Sequence, residues 1–287
     1  MGQHVYYSLI RTAIRREDDK EAWRLFDQLR GRSLPRPIIA STMLNRCAYL
    51  ERPELAFKTW TELCTQGMLA NAPCLEALIY AASKRTDYYA RALGCFRELE
   101  ALGLPCSLRI YNHMLQVAAK NADLATAISI WRKLLEGSDP AISPNEHSYA
   151  SFLWSLASVE TPEYRLSKNR PFVYGSIESA ELIETAWQIL DHAIAHGIPI
   201  NGKILSAGLA IFSNNGCVES ARRLWNEWFP KYNIQHSPFA YELMFKLFDT
   251  VRDWPRTAAL WQDMQEQRQD KLLPYEGWRA MIRTAAL

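Results

Sequence analysis

Ala127-Ile128-Ser129-Ile130-Trp131-Arg132-Lys133-Leu134 carries a small residue, an aromatic four positions later and an aliphatic three beyond that. Offsets of four and three fall on one stripe of an α-helix, so the stretch predicts a helix with one apolar face. The small residue lets a neighbouring helix approach, and the aromatic fills the space beside it. The same trio recurs as Ala22, Phe26, Leu29; Ala56, Trp60, Leu63; Ala92, Phe96, Leu99; Ala186, Leu190, Ala193; Ala221, Trp225, Trp228; and Thr257, Trp261, Met264. Successive middle members are 34, 36, 35, 59, 35 and 36 residues apart, and the step of 59 is one period of 35 with 24 residues inserted.

Upstream of each trio lies a second apolar set: Tyr6, Leu9, Ile10; Met43, Leu44; Leu75, Leu78, Ile79; Tyr111, Met114, Leu115; Tyr149, Phe152, Leu153; Leu205, Leu209; and Tyr241, Met244, Phe245. Gly67, Gly103 with Pro105, Pro144, Gly197 with Pro199, and Pro274 break the chain between units. Each unit is therefore a helical hairpin that cannot bury its own apolar face, and stacking buries it. The expected fold is all-α, a right-handed α-solenoid of about seven helix-turn-helix repeats of roughly 35 residues plus a partial eighth. The repeats fall near 3–37, 38–71, 72–107, 108–145, 146–201 with an insertion at 159–181, 202–237, 238–274 and a partial unit at 275–287. They form one array from residue 3 to 287.

Composition narrows the function. Lys and Arg number 33 and Asp and Glu 31, a net charge of +2, so nucleic-acid contact must come from local placement of cations. Apolar runs such as Ala77 to Ala82 are far too short to span a bilayer. The six cysteines have neither zinc-binding nor disulfide-framework spacing and are expected as buried apolar residues. His192 and His196 are four apart, but the zincin motif needs Glu where Ala193 stands, so no metal site is expected. With no phosphate loop, nucleophile elbow or dinucleotide fingerprint, neither an enzyme nor a cofactor is expected.

A period of 34 to 36 also suits tetratricopeptide repeats, but no unit has their Trp, Leu-Gly and Tyr pattern. The chain instead resembles the pentatricopeptide repeat family. Ile110-Tyr111-Asn112-His113-Met114-Leu115 matches that family's Tyr-Asn-x-Leu-Ile opening, and Thr257, Trp261 and Met264 are a variant of its A-x-x-x-F-x-x-M core. Gly67-Met68-Leu69-Ala70-Asn71, Gly103-Leu104-Pro105-Cys106-Ser107, Ile142-Ser143-Pro144-Asn145 and Gly197-Ile198-Pro199-Ile200-Asn201 resemble its Gly-Ile-x-Pro-Asp exit. The resemblance covers nearly the whole chain. It implies work on organellar RNA, mitochondrial matrix localisation, and recognition of one base per repeat by two or three side chains. No presequence is visible in this chain, whose early arginines are followed at once by Glu17, Asp18 and Asp19.

Carried over repeat by repeat, the family code pairs Thr42 with Asn71, which favours adenine, and Asn112 with Asn145, which favours a pyrimidine. The other pairs are Tyr7 with Pro37, Glu76 with Ser107, Ala150 with Asn201, Ser206 with a residue near Ser237, and Glu242 with one near Pro274. A carboxylate at the reading position repels phosphate and fits few bases. At about 1–3 kcal/mol per good base contact, two readable repeats cannot select one transcript. The resemblance thus implies a non-catalytic component of a large ribonucleoprotein such as the mitochondrial ribosome, contacting single-stranded or structured rRNA or mRNA and neighbouring proteins. The alternatives are a protein–protein scaffold in a mitochondrial complex and a transcript-specific processing or stability factor. The expected RNA contacts are Thr42, Asn71, Asn112, Asn145, Asn201, Ser206, Arg109 and Lys203. The plainer reading makes the Thr and Asn residues helix caps and loop residues. A continuous stripe of Arg46, Lys84, Arg85, Arg109, Lys120 and Lys203 would favour RNA over a peptide.

Two segments are expected to dock partners. The insertion carries Tyr164, Phe172 and Tyr174 with Arg165, Lys168 and Arg170, and long loops in compact folds are usually functional or disordered. The partial last repeat carries Trp278, Met281 and Ile282 on an apolar face with no second helix to cover it.

Overall fold

Fourteen α-helices and no strand form among the described residues, which in this computed structural model are 2–137, 139–159, 179–267 and positions 278, 279, 282 and 283. They pair in sequence order as hairpins: α1 (Gln3–Arg15) with α2 (Asp19–Arg30), α3 (Pro37–Tyr49) with α4 (Pro53–Thr65), and α5 (Ala72–Ala82) with α6 (Tyr89–Ala101). Then come α7 (Leu108–Lys120), α8 (Leu124–Glu136), α9 (Glu146–Ala157) and α10 (Ser179–Ala195). The last hairpins are α11 (Gly202–Asn214) with α12, and α13 (Pro238–Val251) with α14 (Trp254–Glu266). α12 starts as Val218–Arg223, widens to a π turn over Leu224–Trp228 and closes with Phe229–Lys231.

Local chemistry fixes where the first helices begin. Asn71, Ser107, Asn145, Asn201 and Ser237 each precede a first helix and accept a hydrogen bond from a backbone N–H of its first turn. A cap of this kind contributes about 1 kcal/mol. Inside the hairpins a left-handed residue makes the reversal: Glu17, Glu51, Gly216 and Arg252 all have φ between 56° and 67°. At Glu51 the turn closes with Arg52 N–H donating to Cys47 O at 2.9 Å and Glu51 N–H to Ala48 O at 3.1 Å. The second helices end the same way at Gly67, where φ is 97° and Met68 N–H reaches back to Leu63 O at 3.0 Å.

Contacts divide the chain into two compact units, Met1–Asn121 with Glu136–Ser143 and Ala122–Leu135 with Pro144–Leu287, where the sequence reading expects one array. In the first unit α3 packs on α5 and α5 on α7, so first helices stack on first helices while α2, α4 and α6 cover them. In the second, α9, α11 and α13 stack in the same way. The small residues Ala22, Ala56, Ala92, Ala127, Ala186 and Ala221 are completely buried. Among the aromatics Phe26, Phe96, Trp131 and Trp225 are buried, with Trp131 stacked on Phe152 at 4.6 Å. Trp60 and Trp261 depart from expectation and are half-buried at the equivalent position. Trp187 lies against Phe212 at 5.1 Å and Trp228 at 5.4 Å. Cys47, Cys74 and Cys95 are buried as expected, whereas Cys64 is exposed.

Candidate nucleic-acid interface

The caps give every first helix an origin from which its positions can be counted. Five residues beyond the caps Asn71, Ser107, Asn145, Asn201 and Ser237 stand Glu76, Asn112, Ala150, Ser206 and Glu242. In α3 the cap position is Arg36, so the equivalent residue is Ser41 and not Thr42. Thr42 stands one residue further round the helix, and its hydroxyl donates to Ile38 O at 2.6 Å. The signal was present in the sequence: Pro37 suits the first helical position and sets this origin.

Little of the counted row is exposed. Ser41, Asn112, Ala150 and Ser206 are buried, and Glu76 and Glu242 are half-buried. The expected second members of the reading pairs are the caps themselves. Asn71 Oδ1 accepts from Cys74 N–H at 3.1 Å while its amide donates to Leu69 O at 2.8 Å. Asn145 anchors a capping box with Ser148, and Asn201 Oδ1 accepts from Lys203 and Ile204 N–H at 3.0 and 3.1 Å. Ser107 caps α7 and donates to Glu76 Oε2 at 3.0 Å, so those two expected readers bond each other. Asn112 and Asn145 belong to different units.

The cations expected to form a stripe have partners within the protein. Arg46 is buried and bidentate to Asp19 at 2.6 and 3.0 Å, Arg85 binds Asp87 and Glu54, and Arg109 faces Glu76 at 3.3 Å. Lys120 Nζ donates to Ser83 O at 2.6 Å and Lys84 O at 3.3 Å, and Lys84 Nζ sits 4.8 Å over the Tyr80 ring. Five of the six expected cations thus contribute to folding contacts. Lys203 differs.

Lys203 is exposed on a cleft of about 540 Å³ in the second unit, lined where α9, α11 and α13 begin by Glu146, His147, Asn201, Gly202, Ser206 and Ser237. Trp154 and Phe239 supply aromatic walls, with ring centroids 5.7 Å apart and Phe239 41% exposed. Gly202 and Ser206, one turn apart on α11, keep the cleft lining small on that helix. Helix starts carry partial positive charge, which adds to Lys203 in attracting an anion, while the Glu146 carboxylate in the same lining opposes one. Trp154 and Phe239 offer π faces on which a base can stack. Of the expected RNA contacts, Asn201, Lys203 and Ser206 line this cleft. Phe239 and His147 were not among the expected contacts, and Trp154, which its sequence position leaves open as a surface anchor, was not assigned to RNA.

The insertion residues Tyr164, Arg165, Lys168, Arg170, Phe172 and Tyr174 lie outside the described residues. Trp278 and Ile282 are 44% and 66% exposed, with the Trp278 ring 5.4 Å from that of Trp261 and Arg283 bonded to Asp249 at 2.8 Å.

No family model and no curated protein matches the sequence. Among solved structures, nuclear proteinaceous RNase P 2 from A. thaliana aligns with a TM-score of 0.54 at 15% identity, over 73% of this chain and 41% of that one. The fold is a pentatricopeptide-like helical repeat. The pentatricopeptide repeat protein PPR10 from maize aligns over 99% of this chain and 46% of its own, with 15% identity and a TM-score of 0.46. PPR10 in complex with an 18-nt psaJ RNA element gives 14% identity, 99% and 48% coverage and a TM-score of 0.48. The chain thus spans less than half the length of each of these solved structures.

Proposed function

We propose that this chain is a pentatricopeptide repeat protein that binds RNA without transforming it, as a fixed part of a large ribonucleoprotein, with the mitochondrial ribosome the leading setting. The observation that carries the proposal is the cleft at the starts of α9, α11 and α13. It combines an exposed cation, three helix starts and an aromatic pair of which Phe239 is exposed and Trp154 half-buried, which would serve a phosphate and a base at once. The solved neighbour above half in TM-score bears the name of a ribonuclease, and RNA is the common subject. Most of the cleft lining is of kinds that hold rather than react, caps, a lysine and aromatic rings, beside Glu146 and His147. With most reading positions buried or bonded to each other, shape and neighbouring proteins must supply the specificity, which suits a fixed assembly better than a search for one transcript.

Binding of the chain to single-stranded RNA across a salt series tests this. Trp154→Ala should cost about 1–3 kcal/mol, the worth of one base stack. Lys203→Glu should weaken binding and flatten the salt slope by about 0.7 for each phosphate no longer neutralised. Affinities unchanged in both variants would remove the cleft from RNA binding. The second reading, a scaffold for proteins in a mitochondrial complex, is favoured by the internal pairing of Arg46, Arg85 and Arg109. It predicts that no RNA binds above background at physiological salt.

A further inference from the structure

Leu34 and Leu69 stand two residues before the cap positions Arg36 and Asn71, and Ile38 two residues after Arg36. They are 38%, 83% and 46% exposed. Hydrogen bonds hold their segments together on one edge of the first unit. The Gln3 amide, at the start of α1, donates to Leu34 O and accepts from Arg36 N–H, both at 2.9 Å. Cys74 Sγ, at the start of α5, lies 3.7 Å from Pro37 O at the start of α3. Asn71, the cap of α5, holds the Leu69 carbonyl at 2.8 Å. Three aliphatic side chains thus stand exposed where α1, α3 and α5 begin. Counted from the caps of the second unit, the same positions hold Ser143, His147, Lys203 and Gln235, with Pro199 and Phe239 the apolar exceptions. Charge around the patch is one-sided. Arg32 and Arg36 are exposed, and neither has a carboxylate partner among the described residues; Arg36 Nη1 lies instead 3.3 Å from His4 Nε2. Other exposed arginines of the unit are matched, Arg24 with Glu21 and Arg85 with Asp87 and Glu54. No acidic residue stands in the first turn of α1, α3 or α5. Glu76, further along α5, is taken by Ser107 and Arg109.

We propose that this edge docks a short acidic segment of a partner protein, with the segment's apolar side chains over Leu34, Ile38 and Leu69 and its carboxylates on Arg32 and Arg36. Charge complementarity selects that occupant. A guanidinium group pairs bidentately with a carboxylate, and unpaired arginines beside an exposed aliphatic cluster have the arrangement of a polar rim around an interface core. The cluster has no aromatic face on which a base could stack, which turns it away from RNA. Adsorption to an anionic bilayer calls for a cluster of about 4–8 basic residues, and two arginines fall short of that. The site belongs to the first unit, so it stands whether or not the cleft of the second unit holds RNA.

Panning a phage library of random dodecapeptides against the full chain tests it. Enriched sequences should combine Asp or Glu with Leu, Ile or Phe. A synthetic copy of the leading sequence should shift the backbone NMR signals of Leu34, Ile38 and Leu69 before others. Its affinity should fall by about tenfold in Arg36→Glu and in Leu69→Ser, as the loss of an interface anchor does. Helicity should be unchanged in both variants, because both positions are exposed. Exchanging the peptide's carboxylates for lysines should restore binding to Arg36→Glu, a rescue that a misfolded variant could not give. Trp154→Ala should leave the peptide's affinity as it was, which separates this edge from the cleft. No enrichment, enriched peptides that are basic or that shift signals elsewhere, or affinity lost in Trp154→Ala would overturn the proposal. So would binding of phosphatidylserine-containing vesicles or of poly(U) that Arg36→Glu abolishes.

Discussion

A capping amide has few hydrogen bonds to give, and at the residue scale that decides who can meet RNA. Asn71 commits both its oxygen and its nitrogen to its own loop and helix. Thr42 returns its proton to Ile38. Thr42→Ala is thus expected to leave RNA affinity within about twofold of the unaltered chain, against the roughly 1–3 kcal/mol that a good base contact is worth. A tenfold loss in Thr42→Ala, measured by fluorescence anisotropy, would restore the residue as a reader. Cysteine reactivity gives a second residue-scale check. Burial pushes the Cys47, Cys74 and Cys95 thiols up to about 12, so almost no thiolate forms there at neutral pH. Cys64 is exposed. Iodoacetamide on the folded chain should therefore label Cys64 well ahead of those three, and rapid labelling of Cys47 would contradict the packing of α3. Partial burial and Glu98 also raise the Cys64 thiol, though less than full burial raises the other three, so raising the pH should widen the gap only gradually.

At the scale of the element, two devices repeat along the chain and predict opposite responses. Asn145 caps α9 through a capping box, and Asn145→Ala should cost about 1 kcal/mol. Glu51 holds φ at 56°, a conformation that costs an L residue roughly 1–2 kcal/mol and glycine almost nothing. Set against the larger chain entropy of glycine, Glu51→Gly should stabilise by about 0.5–1 kcal/mol. Urea melts of the two variants check both signs, and a loss in Glu51→Gly would mean that its side chain does more than the turn requires. The helices were legible in the sequence because their apolar stripes repeat seven times, at offsets that only a 3.6-residue period explains. The starts were only partly legible. Asn71, Ser107, Asn145 and Asn201 look alike as base readers and as caps, and only their hydrogen bonds distinguish the two. The one-residue error at Thr42 has the same root, since apolar spacing places a stripe more firmly than it places a helix origin. The pairing of Trp154 with Phe239 escaped because Phe239 stands on a helix 85 residues further along and is not visible in local spacing.

For the whole molecule, the proposed function puts RNA on one surface and proteins on others. Deleting residues 160–178, with a short flexible replacement, should impair entry into the native assembly while leaving the melting temperature of the isolated chain nearly unchanged. Normal assembly after the deletion would remove the insertion from any docking role. Trp278 and Ile282 carry the corresponding expectation for the last repeat: Ile282→Lys should improve solubility without lowering the melting temperature, because Ile282 is 66% exposed. The central claim is that the starts of α9, α11 and α13 hold RNA, and ultraviolet crosslinking in intact cells tests it most directly. The protein is isolated with its covalently bound nucleotides, the RNA is sequenced, and adduct-bearing peptides are located by mass spectrometry. The expected result is a single dominant RNA species, with adducts on peptides containing Trp154, Lys203 or Phe239. Adducts confined to the second helices, or a protein recovered without RNA, would contradict the claim.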